Sequence, residues 1–154
     1  MNSRQLGFGG LQVLISIAAV AVLSVIAVPK YNAFIDKAKM TEAFNLAGES
    51  RRKLSEYYMV NARFPKTAAE AEPMRTVTLS PPDFVEGMVV EPASEEHDVV
   101  VKVYLKKDVF ENVSGGEQYI YVAGDLTRGG ASALAWSCGG SGVKAELLPE
   151  DCQG

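Results

Sequence analysis

The chain has 154 residues at 16.5 kDa, is 47% hydrophobic and 22% charged, and carries a formal charge of −4 with a pI near 5.1. That length suits one folded domain with an appendage, and the acidic balance builds in no general attraction to nucleic acid. One histidine and two cysteines leave little for a metal centre or a nucleophile–base pair, so an enzyme is disfavoured and no cofactor or metal is implied.

The charges are unevenly placed. Apart from Arg4, every Asp, Glu, Lys and Arg lies at Lys30 or beyond. Phe8 to Val28 reads FGGLQVLISIAAVAVLSVIAV, without a charge. Roughly 20 such residues cross a bilayer as a helix, and Ser16 and Ser24 can bond back to the preceding turn. The pattern predicts a membrane span. A conventional secretory signal is the competing reading. Cleavage after Val25-Ile26-Ala27 would release a soluble binding domain beginning near Val28.

The sequence after the span argues for continuity. From Lys30 to about Met59, apolar residues recur at Met40, Phe44, Ala47, Leu54 and Tyr58, a three-to-four spacing that predicts one buried helix face. Glu49 precedes Lys53 by four residues, as Arg52 precedes Glu56, so both pairs should support a helix. Span and amphipathic stretch read as one helix from Phe8 to Met59, roughly 78 Å long at 1.5 Å per residue. Pro29 should bend or loosen it, and Gly48 is a second weak point.

A short leader ending in Gly7, then Phe8, an apolar run, Pro29 and the stretch Pro29-Lys30-Tyr31-Asn32-Ala33-Phe34-Ile35-Asp36-Lys37-Ala38-Lys39 together resemble a type IV pilin. The resemblance implies a leader of residues 1–7 removed at Gly7–Phe8 by a prepilin peptidase, which also methylates Phe8. It implies a filament whose core is made by the helix half 8–29, with Phe8, Leu11, Gln12, Leu14, Ile15, Ala18 and Val22 in subunit assembly. Pro29 falls at the family's bending proline, and Tyr31 and Phe34 lie where aromatics are common. The implied partners are identical subunits, the peptidase, an assembly platform with its ATPase, and the membrane before assembly. The implied path runs from the inner membrane to an extracellular pilus serving adhesion, motility or DNA uptake.

One departure matters. The family usually carries Phe-Thr-Leu-Ile-Glu after cleavage, and here stands Phe8-Gly9-Gly10-Leu11-Gln12. The usual carboxylate is thought to pair with a neighbour's terminal amine, which suits a charge placed in lipid. Gln12 keeps an acceptor without the charge. It points towards a minor pilin or a secretion pseudopilin that initiates or caps a filament, as the alternative to a main subunit.

Beyond the amphipathic half (30–59), Pro65, Pro73, Pro81 and Pro82 mark residues 60–83 as a connecting loop laid over the surface. Within 84–154, strands are expected at Phe84–Val90, Val99–Leu105, Tyr119–Ala123 and Ala133–Trp136. The first-named face of Val99, Val101, Val103 and Leu105 is apolar, and Gly115-Gly116 and Gly129-Gly130 read as turns. The expected fold class is α+β, a long N-terminal helix packed on a C-terminal antiparallel meander. Cys138 and Cys152, an even count in an exported domain, favour a disulfide, and the surrounding tail resembles the C-terminal disulfide region of class a pilins.

Sharper motifs weigh less. Glu95-Glu96-His97-Asp98 lacks partner ligands and reads as a solvated acidic turn. Arg51-Arg52-Lys53 fans around a helix and reads as a solvated face rather than a DNA contact. Asn112-Val113-Ser114 fits a glycosylation triplet that arises often by chance, and the tyrosines are explained by packing.

Overall fold

A computed structural model describes residues 9–75, 81–107, 110, 116–126 and 134–153. The chain divides after Ile35 into two units. One helix, α1 (Gly10–Asn61), contributes to both and is helical through Pro29. Its first turn is closed by the Gly9 carbonyl, which accepts from the Gln12 amide at 2.8 Å and from the Val13 amide at 3.4 Å. Its end is set by Ala62, whose φ of 52° takes the left-handed turn usually given to glycine. The Ala62 amide still donates to the Tyr58 carbonyl at 2.8 Å, and the Asn61 side chain donates to Tyr57 O at 2.9 Å. Pro65, lacking an amide hydrogen, follows.

In the second unit, α1 buries Met40, Ala43, Ala47, Ser50 and Leu54. Ala43 and Ser50 complete the stripe that the larger side chains announced. The Ser50 hydroxyl donates to Met88 Sδ at 3.2 Å, so this small polar residue is accommodated against the sheet. Phe44 and Tyr58 are only partly buried at the edge of the core.

Four strands follow: β1 (Val85–Pro92), β2 (Val99–Leu105), β3 (Tyr119–Leu126) and β4 (Leu134–Ser141). They pair antiparallel in the order β1-β2-β3-β4, which is the expected meander. The register puts Met88, Val103, Ile120 and Gly140 in one row across the sheet, and Val90, Val101, Val122 and Cys138 in the next. Side chains of successive residues alternate between faces, so these rows share one face, and their large apolar members join Met40, Ala47 and Leu54 in the core. Val99, Val101, Val103 and Leu105 are at most 1% exposed. On the opposite face the register aligns Tyr104 with Tyr119 and Lys102 with Tyr121.

Two glycines make room for aromatics from a neighbouring strand. A Cβ at Gly124 on β3 would lie 2.9 Å from two ring atoms of Trp136, and one at Gly139 on β4 would lie 2.5 Å from the Tyr121 hydroxyl. Each ring therefore lies over a position that has no side chain.

β3 and β4 run further than their sequence patterns suggested, since Gly124, Gly139 and Gly140 interrupt the apolar alternation without interrupting the pairing. Within the expected loop 60–83, the described residues 62–75 are more structured than a surface loop. Thr67 caps a short helix, α2 (Ala68–Ala71), which runs into a 3-10 turn (Glu72–Met74), while Phe64, Pro65 and Ala71 are buried. Ala133, Gly115, Gly129-Gly130 and Asn112-Val113-Ser114 lie outside the described residues.

Candidate assembly surface

The first unit presents apolar side chains that nothing in it covers. Ten large ones between Leu11 and Ile26 are 45–76% exposed, including Leu11, Leu14, Ile15 and Val22 of the residues marked for assembly. Gln12 and Ala18 are exposed on the same helix. The stretch is long and apolar enough to cross a membrane. Its hydroxyls are satisfied internally, Ser16 Oγ donating to Gln12 O at 2.9 Å and Ser24 Oγ to Val20 O at 2.8 Å. The helix therefore offers an apolar cylinder without a charge, on which Ala18, Ala19, Ala21, Ser24 and Ala27 permit close approach of another helix. Exposed apolar surface on this scale signals lipid or protein partners rather than water. Gly7 and Phe8, the expected cleavage and methylation positions, lie outside the described residues, as do the side chains of Val28 and Pro29.

The second unit is held by polar devices that sequence reasoning missed. Glu70 is the hub of the segment after α1. It accepts from both terminal nitrogens of Arg63 at 2.8 and 3.1 Å, from the Lys66 amide at 2.9 Å and from the Tyr57 hydroxyl at 3.5 Å. Its own amide is capped by Thr67. The Arg63 hydrogen bonds, then the Lys66 amide, hold the Glu70 carboxyl at about 2 against an ordinary 4.5, and the same contact raises Arg63. A Thr67/Glu70 spacing of three was the available signal, but the partner Arg63 lies seven residues back. Lys53, expected to pair with Glu49, donates instead to Arg75 O at 3.1 Å. Arg52 does pair with Glu56, at 3.1 Å.

Two motifs expected to be merely solvated are more engaged than that. His97 Nδ1 lies 3.0 Å from Asp125, and Asp98 accepts from the Leu126 amide at 2.8 Å, so the turn from Ser94 to Asp98 is stitched to β3. Arg51 stacks over the Trp136 ring at 5.7 Å. Both corrections have one origin: the partners lie far along the chain and become adjacent only through sheet pairing and helix packing. On the other sheet face, Lys102 pairs with Glu91 at 2.7 Å, a contact that raises Lys102, and burial raises Tyr104.

Cys138 and Cys152 form a disulfide with Cα atoms 4.8 Å apart. It ties β4 to the 3-10 turn Glu150–Cys152, where Cys152 is buried, as is Leu148 just before the turn.

A family model for pilin, the bacterial filament protein, matches residues 37–153. The fimbrial protein EcpC of Eikenella corrodens is 31% identical over 153 residues, spanning 99% of this chain and 94% of that protein. The type IV major pilin protein PilE1 of Neisseria gonorrhoeae is 27% identical over 139 residues, spanning 90% of this chain and 78% of that one. A fimbrial protein of Neisseria meningitidis serogroup A is 24% identical over the same share of this chain. A structural element of a filament, rather than a catalyst, is the class these features define. The chain belongs to the type IV pilin family, whose subunits assemble into an extracellular pilus.

Proposed function

We propose that this chain is made as a prepilin, cleaved between Gly7 and Phe8 and methylated at Phe8, and polymerised through its N-terminal helix. The observation that carries this reading is the exposed apolar surface from Leu11 to Ile26, on a helix with no charge before Lys30. Before assembly that surface sits in the inner membrane. In the filament it packs against the same stretch of other copies, with Leu11, Leu14, Ile15, Ala18 and Val22 among the contacts and Pro29 allowing the helix to bend. Burying one such side chain contributes about 1.5–3 kcal/mol, so lipid and filament are both far better surroundings than water. The assembly ATPase and platform are needed to move the helix between them, and the filament serves adhesion, motility or DNA uptake.

A second reading is a minor subunit that initiates or caps filaments. Gln12 favours it, because a neutral side chain there cannot form an ion pair with a neighbour's terminal amine. Intact-mass measurement of protein sheared from the cell surface tests the main reading. A chain beginning at methylated Phe8 and abundant in filaments supports it. A chain beginning near Val28 contradicts it, and filaments that persist without this chain assign it a minor role.

A further inference from the structure

Where the apolar stretch ends, the helix changes character within five residues. Lys30 is the first charge of the described chain, and Tyr31 and Phe34 follow it at 66% and 70% exposure. Two large aromatics three residues apart stand on the same side of the helix, and Lys30 precedes them by one and four positions. Among the described residues Lys30 has no ion pair, and nothing in the first unit covers either ring. Water is a poor environment for such rings, and a lipid tail is a poor one for the ammonium group.

Distance along the helix fits one environment that suits all three. Gly10 to Lys30 is twenty steps of α1, or about 30 Å at 1.5 Å each, the thickness of a hydrocarbon core. With Gly10 at one boundary, Lys30, Tyr31 and Phe34 come to the other. Amphipathic and aromatic rings gather at that depth, and a lysine there reaches phosphate groups. We infer that Lys30, Tyr31 and Phe34 form an interfacial collar that docks onto the headgroup layer on the side from which the rest of the chain emerges, with Lys30 selecting anionic phospholipid. This rests on the membrane stage proposed above and deepens it. The occupant is lipid rather than another copy because the collar is continuous with the uncharged stretch that sets the membrane depth, and because its one charge is opposite to that of the headgroup phosphate.

The collar fixes how deep the unassembled subunit sits.

The full chain reconstituted in phosphatidylcholine vesicles containing phosphatidylglycerol provides the test. In a Phe34→Trp variant, lipids brominated close to the headgroup should quench the new emission more than lipids brominated near the tail end, with wild-type Trp136 emission subtracted as background. A Val20→Trp variant, ten steps or about 15 Å from Gly10 and so at mid-depth, should show the opposite order. Lys30→Gln should lower the preference for spin-labelled phosphatidylglycerol over phosphatidylcholine by up to about fivefold, the value of one lysine at an anionic surface. If Val20→Trp is quenched and Phe34→Trp is not, the collar is wrong, the membrane stage stands, and Phe34 belongs to packing between copies. If neither is quenched, the membrane stage itself fails. Unchanged lipid preference in Lys30→Gln overturns the role of the lysine.

Discussion

Replacing Gly124 by alanine sets two effects of opposite sign against each other. Glycine inside a strand costs roughly 0.5–1 kcal/mol relative to alanine, and Gly124 has no positive φ to excuse it, so propensity alone predicts stabilisation. The structure predicts the reverse. The new Cβ would stand 2.9 Å from Trp136 Cη2 and Cζ3 and 3.0 Å from Val99 Cγ1, where ordinary contact begins at 3.4 Å. The ring cannot retreat freely, because Phe64 meets it edge-on at 6.1 Å and Arg51 covers it, and Val99 is fully buried. Overpacking of this kind costs about 1–3 kcal/mol, which outweighs the propensity gain. With a urea slope of about 1–3 kcal/mol per molar, a net loss near 1 kcal/mol lowers the midpoint by about 0.5 M. Unfolding of the full chain in detergent, followed by circular dichroism, measures the shift, and the emission of Trp136, the only tryptophan, reports displacement of the ring in the folded state. A Trp136→Leu background removes two of the three close approaches, so Gly124→Ala there should cost almost nothing or stabilise slightly. An equal cost in both backgrounds would refute the argument that the ring is the obstacle.

Further outcomes follow from other contacts. Replacing Cys138 and Cys152 together by serine should lower stability by about 3 kcal/mol through the entropy of a loop with sequence separation 14, read as a lower melting temperature in non-reducing buffer. Because the Glu70 carboxyl is held down at about 2, its contribution is complete above the ordinary 4.5 and is lost as pH falls towards 2. A Glu70→Gln variant should therefore show less acid destabilisation over that window, and identical acid titrations would remove the carboxylate from the account. Leu54→Ala, at a fully buried position, should cost about 2–5 kcal/mol in the same unfolding assay. Gln12→Glu should leave cleavage intact and not impair assembly. Loss of filaments in that variant would mean the site is adapted to a neutral side chain.

The large features were legible because they rest on periodicity. Met40, Ala47 and Leu54 mark the buried helix face by spacing alone, and β2 falls on Val99–Leu105 because its alternation is uninterrupted. The strand ends of β3 and β4 were not legible, since Gly124, Gly139 and Gly140 lower strand propensity while serving cross-strand packing that only the register reveals. Ser50 escaped for a related reason: a small polar residue looks solvent-facing until Met88 is found opposite it. The Glu70 hub and the His97–Asp125 pair join residues 7 and 28 positions apart, beyond the reach of any local pattern. The helix terminus was easier to place than to explain, because Pro65 and Asn61 signal an end but only φ shows that Ala62 makes the turn.

The core and the exposed apolar stretch of α1 have no side chain in common. Among the described residues, the buried apolar core begins at Met40 and the run of exposed aliphatic residues on the first unit ends at Ile26. On the assembly route proposed above, a substitution between Leu11 and Ile26 changes how subunits associate while leaving the folding equilibrium of the second unit untouched, and a core substitution does the converse. Selection on the proposed helix contacts and selection on the fold of the second unit then work on separate stretches of sequence, so a change in either one need not be answered by a change in the other.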